Sequence, residues 1–290
     1  MKRHLMPLFV LTVFCFAALA GCAHHQMSKT SSSVPLSSYI KSVSDSRQID
    51  KKTPLNLPAS VSILFIPGNL GYWGVPYTTL HKAAEELKKQ LLANPKYIGS
   101  VSIIQADEAS GRISLSDIKS SYTTDIVVIL SFQQSQKNNQ IGLAGLLDIT
   151  IVGMFVFPGV ETNTTTLIDA KVVHIPNNAL IFRTSAIDDH STYSTSYGER
   201  STAAEESIKG IMAATAKIGD ALTKTLTKFE NYDMSQAVPM TTLHSSESGN
   251  KQSNDYWKKV DNYKSSGGGT FGFIPLLIAL AAGFLVWRRK

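Results

Sequence analysis

Four consecutive residues, Asp188, Asp189, His190 and Ser191, place a base, two carboxylates and a hydroxyl side by side. An imidazole steered by a carboxylate can take the proton of a serine hydroxyl, which is the chemistry of acyl hydrolysis. The same donors could hold a divalent ion. Triads are geometric, however, and adjacency along the chain assigns none. The plainer reading is a solvated Ser/Thr/Tyr-rich loop, 191–197, ahead of a helix. Neither GxSxG, HExxH, a Walker sequence nor GxGxxG occurs in a usable context. His81 falls on a helix exterior and His174 on a strand beside Ile175. His24 and His25 stand together in a polar segment, without carboxylate or thiolate company for a metal. The loop Gly68-Asn69-Leu70-Gly71-Tyr72-Trp73-Gly74 follows a strand's carboxyl end, where ligands bind in α/β sheets. It carries no Lys or Arg to neutralise a phosphate, and a turn with packed aromatics is the plainer reading. No catalytic residue, metal ligand or cofactor is assigned from these patterns.

The elements that would position those residues occupy 59–232. Residues 61–66 form a short apolar run ended by Pro67-Gly68, a buried strand. A helix follows, capped near Thr78, with Leu80, Ala83, Ala84, Leu87 and Leu91 on one face and a stop at Asn94-Pro95. Residues 101–104 predict a second strand, 114–119 a short helix bearing Leu115 and Ile118, and 125–132 a third strand. Residues 166–174 and 180–186 read as a hairpin around Pro176-Asn177-Asn178. The last helix opens at the capping box Thr202-Ala203-Ala204-Glu205. Its stripe is Ile208, Ile211, Met212, Ile218, Leu222, Leu226 and Phe229, interrupted by Gly210 and Gly219. This order predicts an α/β fold, a single sandwich domain with a mixed sheet and packed helices.

Residues 141–159 are apolar except for a few small or polar positions and Asp148 in the middle. A buried hairpin arm is one reading. A membrane-touching or oligomer-forming insertion is another, with Val152 and Phe155 as the interaction residues. A spanning helix would have to bury Asp148 at a cost of about 2.5–3.5 kcal/mol.

Polar segments flank the domain. Residues 22–58 read as a flexible tether and 233–266 as a polar stalk, because neither has the apolar surface to order itself. Beyond them lie two membrane-directed ends. Met1-Lys2-Arg3-His4 is a basic start, residues 5–20 an apolar core, and Leu19-Ala20-Gly21-Cys22 closes a signal peptide over 1–21. At the other end Gly267, Gly268 and Gly269 precede an apolar run, 271–287, stopped by Arg288, Arg289 and Lys290. Seventeen helical residues span about 25 Å, slightly less than a ~30 Å hydrocarbon core.

Leu19-Ala20-Gly21-Cys22 resembles the lipobox of bacterial lipoproteins. The resemblance implies a lipid on Cys22, attached by lipoprotein-processing enzymes, and outer-membrane delivery because Ala23 rather than Asp follows. The tail 267–290 resembles the GlyGly-CTERM sorting signal, which implies removal near Gly267, Gly268 and Gly269 by a rhombosortase-like intramembrane protease. A plain C-terminal membrane helix is the alternative. The domain order is similar in topology to the curli-secretion lipoprotein and to lipoprotein activators of penicillin-binding proteins. As a whole the chain resembles the rhombotarget lipoprotein family, whose members bring no assigned activity.

Charge and cysteine content narrow the classes further. The 28 Lys and Arg against 22 Asp and Glu give +6, yet Lys2, Arg3, Arg288, Arg289 and Lys290 belong to the two signals. Without those five, 23 basic residues face 22 acidic ones, so the chain has no electrostatic footprint for nucleic acid. Cys15 lies in the signal and leaves Cys22 alone, which excludes thiol catalysis, cysteine-bound zinc and a disulfide in the mature chain. The expected function is a non-catalytic envelope lipoprotein, lipid-anchored at the outer membrane or cell surface. Its expected partners are an envelope protein or further copies of itself. A surface-anchored hydrolase is the alternative, and it would need Asp188, Asp189, His190 and Ser191.

Overall fold

A computed structural model describes residues 27–34, 54–68, 75–104, 115–141, 153–229 and 237–239. The strands are β1 Met27–Ser32, β2 Ala59–Phe65, β3 Ile98–Ile104, β4 Ile126–Gln140, β5 Val160–His174, β6 Ala179–Ser194 and β7 Val238–Pro239. The helices are α1 Tyr77–Leu92, α2 Leu115–Tyr122, α3 Gly153–Val156 and α4 Glu199–Phe229. One mixed sheet runs β3-β2-β4-β5-β6-β7. β2 pairs parallel with β3 and β4, and the remaining pairs are antiparallel. The fold is α/β, a single mixed sheet packed against helices, as the element order predicts.

The half of the sheet holding β2, β3 and the start of β4 is apolar on both faces, as expected where helices cover each side. Val61, Ile63, Phe65, Val128, Leu130 and Val172 pack with Leu80, Ala84 and Leu87 of α1 and Ile211, Ile218 and Leu222 of α4. Leu64, Ile66, Val127, Ile129 and Val173 face the other way, onto Leu115 and Ile118 of α2. The α1 stripe is as the spacing predicts, but Pro76 rather than Thr78 stands at its start, without a side-chain cap. In α4, Ile211, Ile218, Leu222 and Leu226 are buried and Met212 is partly buried, whereas Ile208 is exposed. The helix also begins at Glu199, one turn before the expected box.

The other half departs from expectation. β4 continues through Gln133–Gln140, β5 begins at Val160, and β6 runs on to Ser194, so three strands extend far beyond their apolar stretches. At about 3.3 Å per residue, the 15 residues of β4 span roughly 50 Å, close to about 46 Å for the 31 residues of α4. The polar strands form an arm with α4 along one face.

Two polar flanks expected to be unstructured contribute strands. β1, inside the segment read as a tether, pairs antiparallel with β4 from Met27↔Asn138 to Ser32↔Gln133. β7, inside the segment read as a stalk, pairs with β6 at Ala179 and Leu180. Leu55 and Leu57 also pack on the core. One edge of β4 is thus shared, by β2 along residues 126–130 and by β1 along 133–138. Ser33 sits at the junction: its Oγ accepts from the Phe132 N–H at 2.9 Å and donates to the Ile66 carbonyl at 3.0 Å. Burial of paired backbone is what low-hydropathy segments gain from a ready-made strand edge.

Candidate functional site

The arm encloses a polar interior. On β4, Gln134, Gln136 and Asn138 alternate toward α4, as strand geometry requires. The Gln134 amide donates to Thr166 Oγ1 at 2.8 Å and to the Ser207 carbonyl at 3.0 Å. Gln136 donates to Thr164 Oγ1 at 3.1 Å and to the Ala203 carbonyl at 2.6 Å. Asn138 donates to the Glu199 carboxylate. Each step of two residues along β4, about 6.6 Å, meets a step of four along α4, about 6 Å. The match lets three successive amides bond to one helix at Ser207, Ala203 and Glu199. Thr162, Thr164 and Thr166 of β5 lie fully buried beneath them.

His190 lies on the same face. Its Nδ1 is 2.8 Å from Asp188 Oδ2, and its Nε2 is 2.8 Å from Glu206 Oε2 on α4. The first is an aligned hydrogen bond; the second is a close approach without hydrogen-bond alignment. Glu206, only 4% exposed, also receives Lys209 Nζ at 2.6 Å, and Asp188 Oδ1 receives Lys217 Nζ at 2.7 Å. The hydrogen bond and charge of Glu206 raise the pKa of Lys209, partly offset by desolvation. His190 facing Glu206 and Lys217 paired with Asp188 thus tie β6 to α4, while Lys209 pairs with Glu206 within the helix.

This geometry decides the chemistry open to the cluster at 188–191. These residues belong to β6, not to a loop, and alternation sends Asp188 and His190 toward α4. Asp189 is on the opposite face, where its carboxylate accepts from Thr165 Oγ1 at 3.0 Å. Ser191 shares that face by alternation and is exposed. The sheet therefore separates Ser191 from His190, and both imidazole nitrogens already face carboxylates. A serine–histidine nucleophile is not assembled here. Among the described residues, no group of three or more His, Cys, Asp or Glu is placed to hold a metal ion.

The remaining sequence candidates divide similarly. His174 is buried, with Nδ1 lacking a hydrogen-bond partner among the described residues. Desolvation lowers its pKa from the ordinary 6.5, opposed by the charge of Asp125 and aided by that of Lys119. Phe155 lies on α3, half exposed, with its ring 4.6 Å from that of Tyr197. Cys22, Val152, Gly267, Gly268, Gly269, most of the loop 68–74, His24 and His25 lie outside the described residues. So does the apolar tail, and no helix among the described residues is long and apolar enough to cross a membrane. What the sequence reading missed is the buried amide ladder, whose one visible signal is the threonine-rich run Thr162 to Thr166, broken by Asn163.

No protein-family model and no curated protein matches the chain. Among solved structures, it is similar to a protein described as a neuraminyllactose-binding hemagglutinin homolog from Helicobacter pylori. Identity there is 15%, coverage 62% of this chain and 90% of that one, and the TM-score 0.36. A PelC dodecamer from Paraburkholderia phytofirmans is 13% identical over 66% and 94%, with a TM-score of 0.26. Lipoprotein GNA1162 from Neisseria meningitidis is 15% identical over 52% and 99%, with a TM-score of 0.22. At such TM-scores the likenesses carry no argument about what the chain does.

Proposed function

We propose that the chain is a non-catalytic lipoprotein of the bacterial envelope, anchored through Cys22 at the outer membrane or cell surface. Its α/β domain acts as an interaction or assembly module, with an envelope protein or further copies of itself as partner. The lipobox Leu19-Ala20-Gly21-Cys22 supports the anchor. The observation that carries the non-catalytic reading is that Asp188 holds His190 Nδ1 and Glu206 stands against Nε2, with Ser191 across the sheet. A hydrolase built on Ser191 and His190 would need those two residues on one face. The Gly267, Gly268, Gly269 tail is the site where a rhombosortase-like protease releases the C-terminal segment.

Detergent-phase partition of a Cys22→Ser chain lacking residues 267–290 tests the anchor: the protein should move to the aqueous phase, and retention in the detergent phase would overturn it. Intact mass of the mature protein tests the tail, since a main species still carrying residues 287–290 removes the cleavage reading. For the activity, Ser191→Ala should leave the phenotype intact. A folded Ser191→Ala protein that reproduces the gene-deletion phenotype would instead favour the hydrolase.

A further inference from the structure

Six of the nine exposed large apolar or aromatic side chains among the described residues gather at one end of the molecule: Ile141, Phe155, Val156, Phe157, Tyr193 and Tyr197. The other three, Tyr77, Leu92 and Ile208, are scattered, so the gathering is a patch and not background. It caps the arm. Ile141 follows β4 and donates its N–H to the Gly159 carbonyl, α3 carries Phe155 and Val156, and Tyr193 is the penultimate residue of β6. Exposure reaches 62% at Val156 and 70% at Tyr197. No ionisable residue occurs in 153–160, and the tyrosines stand beside an aliphatic and phenylalanine centre. That composition suits a lipid–water interface, where amphipathic rings settle at headgroup level.

The strand register supplies the second observation. β1 runs antiparallel to β4, so its first residue, Met27, pairs with Asn138, two residues before the end of β4. The chain leads back from Met27 to Cys22 over five residues, which reach at most about 18 Å when fully extended. A lipid on Cys22 therefore emerges at the apolar end, not at the end of a long tether.

We infer that the tip formed by Ile141, Phe155, Val156, Phe157, Tyr193 and Tyr197 rests in the surface of the lipid bilayer that holds Cys22. The base of the sheet, where β2 pairs with the start of β4, then points away from the membrane. This orientation rests on the lipoprotein reading.

The test uses the full-length chain, lipidated in a bacterial host and reconstituted into phosphatidylethanolamine–phosphatidylglycerol vesicles. An environment-sensitive fluorophore is attached at Val156→Cys or Tyr197→Cys, and at Ala93→Cys near the opposite end as reference. Quenching by lipid-borne nitroxides should be several-fold stronger at both tip positions than at position 93. Equal, weak quenching at all three, with acylated Cys22 found by peptide mass, overturns the orientation and leaves the lipoprotein reading standing. Unmodified Cys22 overturns both. Disulfide cross-linking between Val156→Cys copies without lipid quenching also overturns it, and makes the tip an interface between copies.

Discussion

A methyl group at residue 210 has nowhere to go. Gly210 faces the fully buried Thr166, and a β-carbon there would overlap Thr166 Oγ1 while coming within 3.3 Å of Gln134 Nε2. Neither neighbour can retreat, because the two are hydrogen-bonded to each other. Gly210→Ala should lower unfolding stability by about 1–3 kcal/mol despite the better helix former, as measured by urea titration. Gly219 is the control. Its main obstacle is the end of the Gln90 side chain, which can rotate away, and Leu87 Cδ1 at 3.2 Å need give only a few tenths of an ångström. Gly219→Ala should therefore stay within about 1 kcal/mol of the parent. In the sequence these glycines read as breaks in an apolar stripe; their use is visible only once the opposing strand and helix are placed. His174 yields a second expectation. Its folded pKa is depressed and its unfolded pKa is ordinary, so between the two values the unfolded chain binds more protons. Stability should fall as pH drops below about 6.5, and His174→Gln should flatten that dependence in thermal melts across the acid range.

Between strand and helix, the amide ladder shows how a polar arm holds together. Gln136 donates to a buried threonine hydroxyl and a helix carbonyl, and removing it orphans the hydroxyl. Gln136→Leu should cost about 1–3 kcal/mol, and adding Thr164→Val should recover most of that loss, because both partners then become apolar. A double-mutant cycle in urea checks this; full additivity would remove the ladder as a coupled element. The same elements explain what could be read in advance. α1 and the starts of β2 and β4 follow apolar periodicity and were recoverable from it. Residues 133–140 and 187–194 were not, since their buried face is built of amides, threonines and charges, and hydrophobic alternation is the signal such a reading follows. Strand alternation then dismantled the one chemical candidate, by sending neighbours at 188–191 to opposite faces.

At the scale of the whole molecule, one sheet passes from an apolar base, covered on both faces by helices, to a polar arm with α4 on one face. The two regimes meet at Ser33 and Phe132. If the arm depends on β1 for its outer edge and the base does not, deleting residues 27–33 should act locally. Hydrogen–deuterium exchange should rise several-fold for amides of 133–138 and remain slow for 126–130, which pair with β2. Uniform loss of protection would mean that base and arm unfold as one unit.

The direction of β1 also sets how the molecule bears load. Its first residue lies toward the tip and its last is fastened at the Ser33 junction. Tension drawn from Met27 away from the domain runs along the strand axis, across a ladder of bonds lying perpendicular to it. The bonds of that ladder are then strained together instead of opening in sequence like a zipper. A pull from the N-terminal side meets the strand in shear, and the six paired residues act as a mechanical clasp.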